Sequence, residues 1–407
     1  MVQEPESIER EPEKVPEEEI GKRIRHFQSI LVNLDLDGAF ILQNVDIYYF
    51  AGTIQRSVLF IPAEGLPLLM VTKSLARARG ESPIEAIVPL GRREDIRALM
   101  EDHSHRRLQS LGMELDVLPA AQYLWYRETF PETRWQDISH QIRALRMIKS
   151  PYEVEQIKKA AAILDRGFGE IRTWIRPGMT EMEIDGWLAY VARREGHMGF
   201  LRMRGWNQEM TYAHVLSGPS GAVVSYNDTP AGGMGNTPAM AQGAGFRRVR
   251  RNEPICIDYG AAVNGYLGDQ TRTFVIGKLS GALERAHECS REIHLLVAAE
   301  AKPGTSCSSL FRLAEDHAEQ SGLKEFFMGH GEGKVRFVGH GIGLEIDEYP
   351  ILTPSFSDTL QEGMVFALEP KFIFPGEGIV GLEDDYLVTS SGNERLTLTA
   401  QELLVIS

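Results

Sequence analysis

The sequence has only three cysteines in 407 residues, Cys256, Cys289 and Cys307, and none stand at a paired spacing. That fits a reducing compartment better than a disulfide framework. No apolar run approaches the roughly 20 residues that span a bilayer, and no apolar N-terminal segment leads to a cleavage site. A cytoplasmic protein with no membrane partner is expected. Positive charge is also in short supply. The 43 Lys and Arg stand against 57 Asp and Glu, for a net −14, which argues against nucleic acid as a partner. Short-period repeats and heptads are missing as well, so neither a solenoid nor a coiled coil is expected.

What is present divides the chain into a tail and two domains. Residues 1–19 are acidic and proline-containing and read as a flexible tail. Residues 20–145 begin with a helix from about Ile20 to Leu34. Strand-like runs at Asp37–Gly52 and Val58–Val71 follow, with a helix near Arg93–Leu111, and together they indicate an α/β domain. Trp125–Phe130 reads as packing. Residues 146–407 open with Ser150-Pro151 and with Glu153 three residues after the serine, a capping-box signature for a helix to about Ile175. Thr180 and Glu183 repeat it for a second helix. Two more helices at Ala282–Ala301 and Ser308–Ser321, with strands at Met364–Glu369 and Gly378–Thr389, make this an α+β domain.

The chemistry is concentrated in ICIDYGAAVNGYLGDQTRTF, Ile255–Phe274. Asn264-Gly265 favours a two-residue hairpin turn, which pairs Val263 with Tyr266, Gly260 with Asp269 and Asp258 with Thr271. Strand alternation then sets Asp258, Gly260, Asp269 and Thr271 on one face, with the two aspartates diagonal at roughly 7–8 Å. Gly260 leaves a gap opposite Asp269. Two carboxylates over a gap suggest a divalent-cation site. Three further residues could join them: His340, between glycines in GHGIGLEIDEYP, Glu369 at the end of MVFALEP, and Glu383 in IVGLEDDYLVT. One imidazole and four carboxylates on strands suit Mn²⁺, Co²⁺, Fe²⁺ or Zn²⁺, and two such ions about 3.5–4 Å apart could share a hydroxide.

The order Asp, Asp, His, Glu, Glu in IDYG, GDQTRTF, GHGIGLE, ALEP and LEDD resembles the creatinase/aminopeptidase ("pita-bread") metallopeptidases, most of all the Xaa-Pro aminopeptidases and prolidases. The likeness spans nearly the whole chain, with RMIKSPYEVEQIKKA resembling the entry to the catalytic domain. It implies a creatinase-type α/β N-terminal domain and an α+β pita-bread catalytic domain. It also implies two divalent ions, Mn²⁺ foremost. Asp269 and Glu383 would bridge them, Asp258 would bind one, and His340 and Glu369 the other. Glu369 would handle the proton of a bridging water in attack on a peptide bond, and the protein would act on small peptides as a homodimer.

The chain departs from that pattern at three places. Ser225 and Asp347 stand where the resemblance places two further histidines, and Gly381 stands at an arginine position. Ser225 can donate a hydrogen bond but cannot shuttle a proton near pH 7, whereas Asp347 could serve as a base or hold a cation. His214 or His197 could supply the missing imidazole. Arg202 and Arg204 in RMRGW could bind an anionic end of a substrate, or serve surface and core alone. The residues therefore leave open a metal-dependent lyase or hydrolase acting on a non-peptide small molecule, such as a sulfonium compound, and a non-catalytic binding protein.

Overall fold

The computed structural model describes residues 12–105, 107–211 and 213–406. It divides into two compact units, Met1–Leu145 and Arg146–Ser407. The first begins with α1 (Glu17–Asn33), whose Ile20, Ile24, Phe27 and Leu31 recur at helical spacing and are buried. Pro16 precedes α1, and the acidic first turn, Glu17 to Glu19, suits the positive end of a helix. The helix thus starts three residues earlier than expected, and Glu19 is buried against Arg23 at 2.9 Å. The acidic tail expected over 1–19 therefore ends sooner; its residues 1–11 lie outside the described residues.

Then follow β1 (Gly38–Ile41), α2 (Asn44–Ala51), β2 (Ser57–Pro62), β3 (Leu68–Val71), α3 (Leu75–Glu81), β4 (Ala86–Pro89), α4 (Ile96–Ser104), β5 (Ser110–Met113), α5 (Ala120–Thr129), β6 (Arg134–Asp137) and α6 (Ser139–Met147). The strands form one mixed sheet in the order β4-β3-β2-β1-β5-β6. The strand-like run Asp37–Gly52 is in fact β1 followed by helix α2. Gln43 accepts a hydrogen bond from the Asp46 N–H at its start, and Gly52 ends it at φ 68°. A short apolar run does not by itself distinguish strand from helix. Phe40, Tyr126 and Phe130 pack together in the core with Trp135 against them, so this aromatic segment is packing.

In the second unit, α7 (Pro151–Ile171) and α8 (Glu181–Arg194) carry both expected capping boxes. Strands β7 (Ala213–Ser217), β8 (Pro254–Val263) and β9 (Tyr266–Ile276) follow, then α9 (Gly281–Glu300) and α10 (Cys307–Gln320). The remainder is strand: β10 (Gly339–Gly341), β11 (Glu348–Ile351), β12 (Val365–Leu368), β13 (Lys371–Phe374), β14 (Gly378–Gly381), β15 (Asp384–Val388), β16 (Asn393–Arg395) and β17 (Leu404–Ile406). The single strand expected over Gly378–Thr389 is two, interrupted at Leu382-Glu383. The sheets run β17-β9-β8-β7, β11-β10-β12-β15-β16 and β13-β14. Helices α7 and α8 bury their apolar faces with β7, β8 and β9, while α9 and α10 form a second core with β12 to β15. Among the described residues no helix is long and apolar enough to cross a membrane.

Candidate metal centre

The hairpin adopts the register read from the sequence, with Val263 opposite Tyr266, Gly260 opposite Asp269 and Asp258 opposite Thr271. Asn264 at φ 49° and Gly265 at φ 87° both take the left-handed backbone that a two-residue turn of this kind requires. On the other side of β8, His214 is opposite Asp258, and Thr271 bridges to Glu383. His214, Asp258, Thr271 and Glu383 therefore form one row across four backbone segments. The gap expected at Gly260 is not open. The Leu201 side chain fills it so closely that a Cβ on Gly260 would collide.

The second sheet supplies the rest. His340 lies on β10 between β11 and β12, and its flanking glycines let the neighbours close in: a Cβ on Gly339 would strike Ala367 O, and one on Gly341 would strike Tyr349 O. Glu369 follows β12, its N–H donating to Val338 O at 2.9 Å. Arg272 holds the Glu383 backbone by donating to its carbonyl at 2.8 Å. Donor atoms of Asp269, His340 and Glu383 all lie within 4.8 Å of one another. Glu369 Oε1 is 3.5 Å and Glu383 Oε1 3.7 Å from His340 Nε2. One nitrogen and three carboxylates at this separation fit a divalent ion of the Mn²⁺ to Zn²⁺ group.

A residue that the sequence reading passed over occupies the other side. Lys371 Nζ, with its side chain 1% exposed, donates to Glu383 Oε2 at 2.7 Å, Glu369 Oε2 at 2.8 Å and Asp258 Oδ2 at 3.3 Å. The signal was available. Lys371 is two residues after Glu369 in an apolar run that reads as extended, and alternation in extended backbone sets such residues on one face. His214 Nδ1 is 3.7 Å from Asp258 Oδ2, just beyond hydrogen-bond reach, and its ring is buried.

The titration directions differ among the carboxylates, even between the two glutamates that Lys371 meets. Burial is the largest influence on the Asp258 and Glu383 carboxylates and disfavours both, yet Lys371 together with an imidazole, His214 at Asp258 and His340 at Glu383, holds both below their ordinary values. Burial pushes Asp269 well up, reinforced by Glu383 and Asp258. It lifts Glu369 to about 7, with Lys371 opposing the rise. His340 is driven down by burial but raised to about 9 overall by Glu383 and Glu369. For Asp269 and Glu369, burial is thus not fully offset by Lys371.

The contacts seen for the remaining sequence candidates run to other partners. Asp347 accepts from Arg204 N at 2.9 Å and Gly205 N at 3.0 Å, one on each oxygen. Ser225 Oγ donates to Gln242 Oε1 at 3.2 Å and accepts from Asn227 N at 3.1 Å. Arg204 is buried with its guanidinium 3.7 Å from Glu345. Arg202 lies over Phe200 at 5.1 Å, and Trp206 is 83% exposed. His197 is tied to the hairpin, its Nδ1 accepting from Ala262 N at 2.8 Å.

Comparison with known proteins gives the same picture. The profile of metallopeptidase family M24 matches residues 155–390, and that of the creatinase/prolidase N-terminal domain matches residues 23–148. The chain is 27% identical over 386 residues to a Xaa-Pro dipeptidase of Pyrococcus furiosus, covering 94% of this chain and 99% of that one. It is 29% identical over 317 residues to a Xaa-Pro dipeptidase of Lactobacillus helveticus, covering 77% and 78%. Among solved structures, a Xaa-Pro dipeptidase from Bacillus anthracis superposes at a TM-score of 0.81 with 26% identity, covering 95% and 99%. An X-Pro aminopeptidase from Thermotoga maritima superposes at 0.78 with 25% identity, covering 93% and 100%.

Proposed function

The chain belongs to metallopeptidase family M24, and on that premise we propose that it is a metal-dependent peptidase of Xaa-Pro type, a dipeptidase or aminopeptidase acting on small peptides. The observation that supports this most is the buried cup in which Asp269, His340 and Glu383 present donor atoms within 4.8 Å of one another, with Glu369 beside them. A bound Mn²⁺, Co²⁺, Fe²⁺ or Zn²⁺ would supply a Lewis acid and a water of lowered pKa. Asp269, His340, Glu369 and Glu383 would hold it. Glu369, whose Oε1 lies 3.5 Å from His340 Nε2, would take the proton of an attacking water. Thr271 donates to Glu383 Oε2 at 2.8 Å and fixes the carboxylate that serves both sides of the cluster. His340 has the most exposed side chain of the cluster, at 17%, so substrate reaches the carboxylates from its side.

In this reading Ser225 and Asp347 anchor loops, because their oxygens are engaged by the hydrogen bonds given above. The lyase alternative needed Asp347 as a free base and loses that support. A homodimer in the cytoplasm belongs to the same proposal, and light scattering on the purified protein tests the dimer. The activity is tested by supplying Mn²⁺ or Co²⁺ and measuring proline release from a panel of Xaa-Pro dipeptides and longer Pro-containing peptides. Turnover supports the reading. Metal-loaded protein inert across the panel refutes it.

A further inference from the structure

We propose that Lys371 is a resident cation that takes the place of a second divalent ion, so that each chain binds one ion rather than two. The inference rests on the reading of this cluster as a metal site but not on the substrate. Its basis is how the oxygens are shared. Glu369 and Glu383 each turn Oε1 toward His340, at 3.5 and 3.7 Å, and Oε2 toward Lys371, at 2.8 and 2.7 Å. Asp258, the carboxylate opposite Thr271 in the hairpin, adds a third oxygen on the lysine side at 3.3 Å. An ammonium has three N–H donors, and here each has a carboxylate to meet. The lysine side is therefore filled by the chain's own charge, while the Asp269, His340 and Glu383 donors remain together on the other side.

The backbone is shaped for this. Lys371 pairs with Gly381 across β13 and β14. A Cβ on Gly381 would come within 2.7 Å of Pro370 O, 2.8 Å of Lys371 Cα and 2.9 Å of Lys371 Cγ. Gly381 thus leaves the lysine stem the room it uses to reach the cluster. A divalent ion bound between Asp258 Oδ2 and Glu383 Oε2 would have to displace Nζ and repel it at short range. An ammonium orients and neutralises carboxylates but has no coordination site for a water. The hydrolytic chemistry then belongs to the His340 side alone.

Metal counting tests the proposal without any substrate. Metal-free protein titrated with Mn²⁺ in a calorimeter should bind one ion per chain and show the electron spin resonance spectrum of an isolated Mn²⁺. Lys371→Ala should bind two and show an exchange-coupled pair. Two ions on the wild-type chain, a coupled wild-type spectrum, or a variant that folds and still binds only one would each overturn the proposal. If Lys371→Ala does not fold, the wild-type count and spectrum decide alone. One ion bound without peptide turnover would uphold this inference and refute the peptidase reading. Two ions with turnover would do the reverse.

Discussion

The two sides of the buried carboxylate cluster use the same glutamates and have opposite needs. On one, Asp258, Glu369 and Glu383 are met by the ammonium of Lys371, and nothing further is required. On the other, Asp269 and Glu369 face one imidazole, and their pKa values are pushed up by burial that no nearby cation fully offsets. The difference shows where in the site an incoming ion is favoured. Burying several carboxylates is tolerable only when their charge is met, by a protein cation or by a metal.

The largest expected effect comes from emptying the filled side. Lys371→Ala should cost the metal-free protein about 3–5 kcal/mol of unfolding free energy, because three carboxylates lose their buried partner. Added Mn²⁺ should recover much of it by binding the folded state. Urea denaturation with and without metal measures both, and a loss under about 1 kcal/mol would place Lys371 among ordinary surface pairs.

A cluster met entirely by protein charge offers a standard for that side. Glu348 accepts from Arg146 and from Lys149, the latter at 2.8 Å, all three buried. Burial opposes its ionisation, but Arg146 and Lys149 prevail and hold its pKa at about 2, below the ordinary 4.5. The sign follows from that depression. The stabilisation, about 3 kcal/mol, is fully present above pH 4.5 and is lost as pH falls through about 2. Glu348→Gln should lose it at neutral pH and lack that portion of the acid dependence. A variant with the wild-type acid profile would show that the triad contributes nothing of the kind.

Thr271→Val would loosen the carboxylate common to both sides, since the hydroxyl donates to Glu383 Oε2 at 2.8 Å. Removing such an orienting partner should weaken Mn²⁺ binding by about 10–100-fold with little change in fold, measured by competition with a chelating dye. Unchanged affinity would mean that Glu383 is positioned by its backbone alone. The smallest effect is expected outside the cluster. Asp347→Asn should leave metal affinity unaltered and lower stability by about 1–2 kcal/mol, because its two oxygens hold the Arg204 and Gly205 backbone. A large drop in metal affinity would return Asp347 to the site.

How legible the site was depended on how local its information is. The Asp258–Asp269 register needed only strand alternation and the Asn264-Gly265 turn, and it holds residue for residue. The helix starts at Ser150 and Thr180 were equally local, since each cap closes within three residues. Helix α2 was missed because its eight residues, only Asn44 and Asp46 of them polar, carry no decisive period. The environments of Ser225 and Asp347 were out of reach because their partners, Gln242 and Arg204-Gly205, are 17 and more than 140 residues distant.

By itself the sequence determined the hairpin, the five candidate ligands and the likeness to a two-domain metallopeptidase, because short-range periodicity and linked motifs encode them. The tertiary structure alone decided how those ligands are shared. Only when β13 lies beside β14 does Gly381 open the path for Lys371, and only when both sheets meet do Asp258, Glu369 and Glu383 converge on its ammonium. The physical reason is that a strand's face is written in alternate residues, whereas the charge that a buried face must meet comes from wherever the chain returns.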